Sequence, residues 1–128
     1  MAKKVLLIMK RKILSDTLIG KVEKGSCFEL SAEHNYALAV LTAEAYLPDI
    51  TVLEIPESGP WKPAEKCLLI CDMIRKQLPN CKQVVLCNET DGDSRRAAIN
   101  AKQNRRIDDF LFYESSVNYL LSKLEALA

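Results

Sequence analysis

The sequence is poor in several residues and patterns on which large classes of protein depend. It has only four glycines, and none of them lie close together, so a glycine-rich phosphate loop and a dinucleotide fingerprint are both absent. Its longest apolar runs, such as residues 5–9 and 84–87, are far shorter than the roughly 20 residues that span a membrane. The first of these runs is also too short for the core of a signal peptide. We therefore expect no membrane partner and a cytoplasmic location.

The chain also lacks an excess of charge of either sign. It carries 18 basic and 17 acidic residues, which gives a formal net charge of +1. Binding along a nucleic acid requires a clear basic excess. No aromatic residues interleave with the basic residues between positions 95 and 106, as they do where single strands are bound. We therefore expect no nucleic-acid partner.

Cysteine occurs five times, but never in a CxxC pattern, and His34 is the only histidine. A structural zinc site needs about four suitable ligands, so we expect no metal. An odd number of cysteines without an export signal favours a reducing compartment. The plainest interpretation is that the cysteines serve as small buried apolar groups.

What the chain does have is a regular alternation between short continuous apolar runs and segments with apolar residues every three or four positions. It extends over 128 residues, the length of one domain. Short apolar runs predict five strands, at residues 5–9, 27–30, 50–55, 83–87 and 107–112. Stripes with spacings of three and four residues predict a helix after each strand. This alternation indicates a three-layer α/β fold with helices on both faces of a five-stranded parallel sheet. The flavodoxin-like (βα)5 order 2-1-3-4-5 is one of the two common arrangements.

Capping residues and apolar stripes set the expected helix boundaries. For the first helix, the stripe is Leu14, Leu18 and Val22, and Gly25 ends it. For the second, Ser31 is the expected cap, and the expected inner face is Ala37, Leu38, Leu41 and Ala45. The third carries Cys67, Ile70, Cys71, Ile74 and Leu78. The last helix is expected to be capped by Ser115 or Ser116.

Sites in sheets of this kind lie at the carboxyl ends of the strands. Here those ends carry Met9, Lys10 and Arg11 after the first strand, Glu54 after the third and Cys87 after the fourth. The fifth strand ends near Tyr113. We therefore expect these side chains to share one edge of the sheet.

Several segments resemble the receiver domains of bacterial two-component response regulators. Residues 46–55 read Tyr-Leu-Pro-Asp-Ile-Thr-Val-Leu-Glu-Ile, which is similar to the family's Pro-Asp, short apolar strand and following acidic residue. Residues 3–8 and 108–112 resemble the family's first strand and its approach to the fifth. The resemblance implies a single receiver-like domain over residues 1–128 that acts in phosphorelay signal transduction and is not an enzyme. It also implies protein partners of a signalling pathway, such as a histidine kinase or an effector.

The resemblance assigns roles to the residues at the strand ends. The family's magnesium-binding acidic pair falls on Met9 and Lys10, and its phospho-acceptor aspartate falls on Glu54. Its switch hydroxyl falls on Cys87 and its lysine on Tyr113, followed by Glu114 in place of a proline. Neither Met9 nor Lys10 offers the oxygen ligands that magnesium prefers. We therefore expect magnesium binding to be lost and the usual phosphorylation to be absent, as in a degenerate pseudo-receiver.

Two interpretations of Glu54 remain open. It can stand as a fixed negative charge paired with Lys10, or both can be solvated loop residues. Two functional alternatives are also open: a phospho-acceptor that uses Glu54, and a small α/β thiol enzyme that uses Cys87. The thiol enzyme would need a base near the thiol, and we expect His34 to lie too far away.

Two further regions are candidates for partner contacts. Trp61 lies in a proline-rich loop that is longer than usual, where it either contacts a partner or folds back onto the third helix. The basic residues around the fourth helix are Arg95, Arg96, Lys102, Arg105 and Arg106. In receivers, the face of the fourth helix, fifth strand and fifth helix commonly forms dimers, which makes it the expected homodimer face here. The alternative is a solvated face balanced by Asp108 and Asp109.

Overall fold

The structure, a computed structural model, describes residues 3–22, 27–113 and 117–128. Strands and helices alternate along the chain, as the hydrophobic periods predict. The strands are β1 Lys3–Ile8, β2 Phe28–Glu33, β3 Ile50–Glu54, β4 Lys82–Cys87 and β5 Asp109–Phe112. The helices are α1 Lys12–Val22, α2 Ala39–Tyr46, α3 Ala64–Gln77, α4 Gly92–Gln103 and α5 Val117–Leu127, and a 3-10 turn at Tyr36–Leu38 precedes α2.

The five strands form one parallel sheet in the order β2-β1-β3-β4-β5. All residues of β3 are buried, and so are the last four of β1. Strands covered on both faces are expected to be apolar without alternation, which is why their runs could be recognised. The predicted α/β fold and its strand order are confirmed.

Alternate side chains of each strand enter two separate cores. One core lies under α2, α3 and α4 and includes Leu6, Ile8, Leu53 and Ile74. The other lies under α1 and α5 and is built from β1, β3 and β4 residues together with Leu18, Leu120 and Leu124. The three layers follow directly from this division.

The predicted start and inner face of the second helix are wrong. Ser31 lies inside β2, which continues to Glu33, and Asn35 caps the 3-10 turn instead by accepting a hydrogen bond from the Ala37 backbone N–H. The four residues expected on the inner face, Ala37, Leu38, Leu41 and Ala45, are all exposed. The buried residues are Tyr36, Ala39 and Ala43. A strand that ends three residues later than expected changes where the following helix begins, so that two alanines four apart face the sheet.

The other helices follow their stripes more closely. In α3, Cys67, Ile70, Cys71 and Ile74 are buried, and in α5 the buried residues are Leu120 and Leu124. The expected end of α1 at Gly25 and the expected caps Ser115 and Ser116 lie outside the described residues, as does Glu114.

The basic residues around α4 are largely paired within the chain. Arg106 lies within salt-bridge distance of Glu65 at 2.9 Å and Asp72 at 2.8 Å, both on α3. Lys102 lies 3.0 Å from Asp109 at the start of β5. These pairs join α3, α4 and β5 and neutralise part of the cluster. Among the described residues, no helix is long and apolar enough to cross a membrane.

Candidate functional site

The predicted site residues lie at the carboxyl ends of β1, β3, β4 and β5, and the parallel topology places these ends at one edge of the sheet. Backbone hydrogen bonds continue the sheet past the strand ends, from Ile55 N to Leu86 O at 2.8 Å and from Tyr113 N to Cys87 O at 3.0 Å. Met9 N donates in the same way to Glu33 O at 3.1 Å. These bonds fix the positions from which the side chains leave the sheet.

Glu54 is the buried charge at the centre of this edge. Only 2% of its side chain is exposed. Its Oε1 atom accepts hydrogen bonds from the backbone N–H groups of Lys10 at 2.8 Å and Arg11 at 3.1 Å. Its Oε2 atom accepts a short hydrogen bond from Nε of Arg11. Both carboxylate oxygens are therefore engaged by the segment that follows β1, as a buried charge requires.

The expected partner of Glu54 is corrected from Lys10 to Arg11. The ammonium of Lys10 instead donates to Ser58 O at 3.2 Å, and only the backbone of Lys10 contacts the carboxylate. A guanidinium is planar, always charged and less strongly hydrated than an ammonium, which suits it to a partly buried ion pair. That difference in chemistry is the signal in the sequence by which Arg11 could have been preferred to Lys10.

Tyr113 stands beside the ion pair at the end of β5. The Arg11 guanidinium lies over the Tyr113 ring, 4.4 Å from its centroid, in the geometry of a cation–π contact. The phenol oxygen is buried and has no hydrogen-bond partner among the described residues. Burial, and then the negative charge of Glu54, raise the pKa of Tyr113 above its usual value. Tyr113 is thus a neutral aromatic wall for the guanidinium.

Sequence reasoning missed Tyr36. Its ring is buried, and its hydroxyl donates to the backbone carbonyls of Glu54 and, at 3.3 Å, Ile8. Burial is also the main cause that raises the pKa of Tyr36. The hydroxyl therefore joins the ends of β1 and β3 beneath the buried carboxylate. Its position depends on the late start of α2, which the capping pattern did not reveal.

The residues at this edge do not fit a magnesium ion. Magnesium requires oxygen ligands, but Met9 is fully buried and apolar. The Met9 carbonyl oxygen is bonded to His34 Nδ1 at 2.8 Å, and both Glu54 oxygens are engaged as described. In the part of the chain that the structure describes, no three His, Cys, Asp or Glu side chains are grouped as a metal site would need.

Cys87 and His34 lie at separate places. Cys87 is fully buried at the end of β4. His34 follows β2, and β1 and β3 lie between β2 and β4 in the sheet. A thiol nucleophile needs an accessible sulfur and a neighbouring base, and the geometry gives Cys87 neither an exposed surface nor His34 as its base.

Trp61 folds back from the loop between β3 and α3. Its ring is partly buried against the core beneath α3 and lies 5.9 Å from the Tyr36 ring, with a tilt of 31°. Gly59 turns the loop with a φ of +91°, and a Cβ atom there would lie 3.1 Å from Lys10 Nζ. The loop thus packs against the rest of the chain and passes close to the exposed Lys10 side chain.

Comparisons with known proteins give a consistent answer at the level of the fold. No family model matches the chain, and no curated protein matches its sequence. Among solved structures, a response regulator from Thermotoga maritima is 19% identical with a TM-score of 0.78, covering 99% of this chain and 98% of its own. A DNA-binding response regulator of the LuxR family from Staphylococcus aureus is 18% identical with a TM-score of 0.77, covering 98% of each chain.

A third similar structure carries a different description. It is an adenylate cyclase from Rhodopirellula baltica, 16% identical with a TM-score of 0.82, and the match covers 99% of this chain and 87% of that one. Identities this low show a shared fold alone. The chain has the fold of response regulator receiver domains.

Proposed function

We propose that this chain is a receiver-fold signalling domain that is not phosphorylated in the usual way and acts through contacts with other proteins. The observation that carries the proposal is Glu54, whose two carboxylate oxygens are engaged by Arg11 and by the backbone N–H groups of Lys10 and Arg11. The proposal includes a cytoplasmic location and no enzymatic activity.

The chemistry of phosphoryl transfer explains why this arrangement opposes phosphorylation. Such transfer depends on an accessible, aligned nucleophile and on cations that neutralise the developing charge. In this chain the cation is the Arg11 guanidinium, which is bonded to one carboxylate oxygen of Glu54, while backbone N–H groups engage the other, so both possible nucleophiles are already engaged. With 2% of the Glu54 side chain exposed, a phosphoryl donor also has little access. Arg11 thus supplies the positive charge that a metal ion would otherwise bring, and it occupies the carboxylate that would otherwise be phosphorylated.

Partner contacts would use the face formed by α4, β5 and α5. Phe110 and Phe112 lie edge to face on β5, with ring centroids 5.8 Å apart, and 51% of Tyr119 is exposed on α5. Lys102 and Lys123 flank them, and both pair with Asp109 at 3.0 Å. Aromatic residues surrounded by paired charges are typical of the centre and rim of a protein interface. A second copy of the chain is the simplest partner for it.

The first experiment tests phosphorylation directly. The protein is incubated with acetyl phosphate and magnesium and then weighed intact by mass spectrometry. We expect no added phosphoryl group. A phosphoryl group on the peptide that contains Glu54 would overturn the proposal and establish the phospho-acceptor alternative. The matched positive control carries Met9→Asp, Lys10→Asp, Arg11→Ala and Glu54→Asp, which removes the guanidinium and supplies carboxylates for the metal.

The second experiment tests whether the face of α4, β5 and α5 mediates self-association. Sedimentation of the wild type over a range of concentrations is compared with that of Tyr119→Ala and of Leu69→Ala, a substitution at an equally exposed apolar residue on α3 (52%). We expect self-association that Tyr119→Ala weakens and Leu69→Ala leaves unchanged. A monomer at all concentrations would exclude the homodimer and leave a different protein as the partner.

A further inference from the structure

A cleft of about 410 Å³ opens next to the Glu54 centre, between the end of β1, the segment after β2 and the loop after β3. Its lining residues are Lys10, His34, Asn35, Tyr36, Pro56, Ser58, Pro60 and Trp61. We propose that this cleft binds a small planar anion, such as an aromatic carboxylate. Neither phosphate nor metal enters this proposal, so it stands or falls separately from the function proposed above.

The apolar part of the lining is tied to neighbouring elements by hydrogen bonds and ring contacts. Tyr36 is anchored by its hydroxyl to the backbone at Glu54, and its ring lies 5.9 Å from that of Trp61. The thiol of Cys67 donates to the Trp61 carbonyl at 3.1 Å, which ties the loop to α3. Two prolines, Pro56 and Pro60, complete this side and restrict the backbone further. Two aromatic rings and two prolines form a preformed surface for a flat ligand.

The polar part of the lining favours a negative charge. Lys10 carries its ammonium into the rim of the cleft, where the acceptor it has among residues 3–22, 27–113 and 117–128 is the neutral carbonyl of Ser58, at 3.2 Å. An ammonium has three donors, so it keeps hydrogen-bonding capacity for a ligand. Among the described residues that line the cleft, none is acidic. Nearby Glu54 is already neutralised by Arg11.

His34 adds a second oriented group. Its Nδ1 atom lies 2.8 Å from the Met9 carbonyl oxygen, and a carbonyl oxygen only accepts, so Nδ1 carries the proton. That bond fixes the ring and leaves Nε2 as the remaining polar atom, which accepts hydrogen bonds in the neutral ring and donates one to an anion in the imidazolium form. Asn35 follows it in the lining with its own amide. A few polar groups on an otherwise apolar wall are what small-molecule sites use to orient a ligand.

The size and shape of the cleft also fit a small molecule. Its volume lies at the small end of the roughly 300–1,000 Å³ typical of ligand sites. A larger hollow of about 620 Å³ is lined by Arg11, Lys12, Ile13, Leu14 and Thr17. Those residues all lie on one helix or at its start, so that hollow has one wall only. Three separate segments contribute residues to the cleft at Lys10, and this convergence of segments distinguishes the two.

The test uses benzoate and its neutral isostere benzamide as probes, added to the full chain and followed by nitrogen-proton NMR. Trp61 is the only tryptophan, so its indole N–H signal reports the cleft without ambiguity. We expect benzoate to shift this signal and the backbone signals of Asn35 and Ser58 in a saturable manner. We expect benzamide to bind about three- to fivefold more weakly, since one partly exposed charge pair contributes that much.

Two lysine variants test whether the charge of Lys10, and not only the apolar lining of the cleft, contributes to benzoate binding. Lys10→Gln should weaken benzoate about three- to fivefold and leave benzamide unchanged. Lys62→Gln removes an exposed lysine that lies in the loop after β3 but does not line the cleft, and it should change neither affinity. Equal affinity for the two probes, a non-saturable response, or shifts centred on Ile13 and Leu14 would each overturn the proposal. An equal effect of the two lysine substitutions would also overturn it.

Discussion

Lys10 and Arg11 are adjacent in the chain, yet the two cations lie in different environments. Arg11 turns inward, pairs with a carboxylate that is 2% exposed and stacks on Tyr113. Lys10 turns toward the open cleft, and its ammonium contacts a neutral carbonyl. One charge is committed to the interior of the protein, and the other retains capacity to bind a partner. The comparison shows that sequence position alone does not decide which cation serves the buried carboxylate.

The largest expected contrast is between the solvent access of a thiol at this edge, Cys87, and that of an exposed thiol before β2, Cys27. In the native protein, iodoacetamide should alkylate the exposed Cys27 at least about 1,000-fold faster than Cys87, which is 0% exposed. Reaction at Cys87 requires opening against a typical folding free energy of at least 5 kcal/mol. Burial also raises the pKa of Cys67 and Cys71 to about 12, which keeps these thiols unreactive.

Peptide mass spectrometry over time measures this contrast. The same reaction in concentrated urea is the control, because unfolding removes the difference. Rapid modification of Cys87 under native conditions would show that the Glu54 centre is open to small molecules and would revive the thiol-enzyme alternative.

Removal of the inward cation should have the largest effect on stability. Arg11→Met leaves the Glu54 carboxylate buried with two backbone donors only. Breaking a fully buried pair costs about 3–5 kcal/mol. Because 49% of the Arg11 side chain is exposed, solvent screening lowers the expected loss to about 2–3 kcal/mol. Urea unfolding measures it, and Arg11→Lys should recover less than half of the loss, since an ammonium cannot reproduce the planar geometry.

Tyr36 contacts the backbone at Glu54 and also lines the cleft at Lys10. Tyr36→Phe should therefore lower the free energy of unfolding by an amount between those of the two cation variants. The substitution keeps the ring that lines the cleft but removes the hydroxyl that joins the carbonyls of Ile8 and Glu54. Loss of one buried hydrogen-bonding group costs about 1 kcal/mol. Tyr46→Phe is the matched control, because its hydroxyl bonds to Glu29 in an exposed position. Equal losses of unfolding free energy for the two variants would mean that the buried Tyr36 hydroxyl contributes no more to stability than the exposed Tyr46 hydroxyl.

The smallest effect is expected for the outward cation. Lys10→Met removes an exposed contact with Ser58 O and should change the free energy of unfolding by less than about 0.5 kcal/mol. The comparison with Arg11→Met is direct, because the residues are adjacent and the new side chain is the same. If Lys10→Met costs as much as Arg11→Met, the assignment of inward and outward cations is wrong.

The sequence predicted the fold because its strongest patterns are buried on both sides. The stripe of Cys67, Ile70 and Ile74 and the continuous runs of β1 and β3 depend only on local periodicity. The start of α2 could not be predicted in the same way. Ser31 is both a good cap and a tolerable residue in an edge strand, and only the pairing of β2 with β1 up to Glu33 decides between the two.

The candidate site was predictable in its location and less so in its contacts. Parallel topology brings Lys10, Glu54, Cys87 and Tyr113 to one edge whatever their side chains are. Which cation meets Glu54 depends on how the chain leaves β1 and enters α1, a matter of one residue. The equivalence of these positions with the functional positions of receivers stays a prediction.

The Arg11–Glu54 pair has a consequence for how such a domain could be regulated. A counter-ion that belongs to the chain has a fixed effective concentration, so neither dilution nor chelation can remove it. Under the proposed function, the electrostatic state of this centre is therefore set when the protein folds and does not follow the supply of metal or phosphoryl donor. Under the proposed function, the strength of the signal would depend on how many copies of the domain are present and on what occupies its partner surfaces.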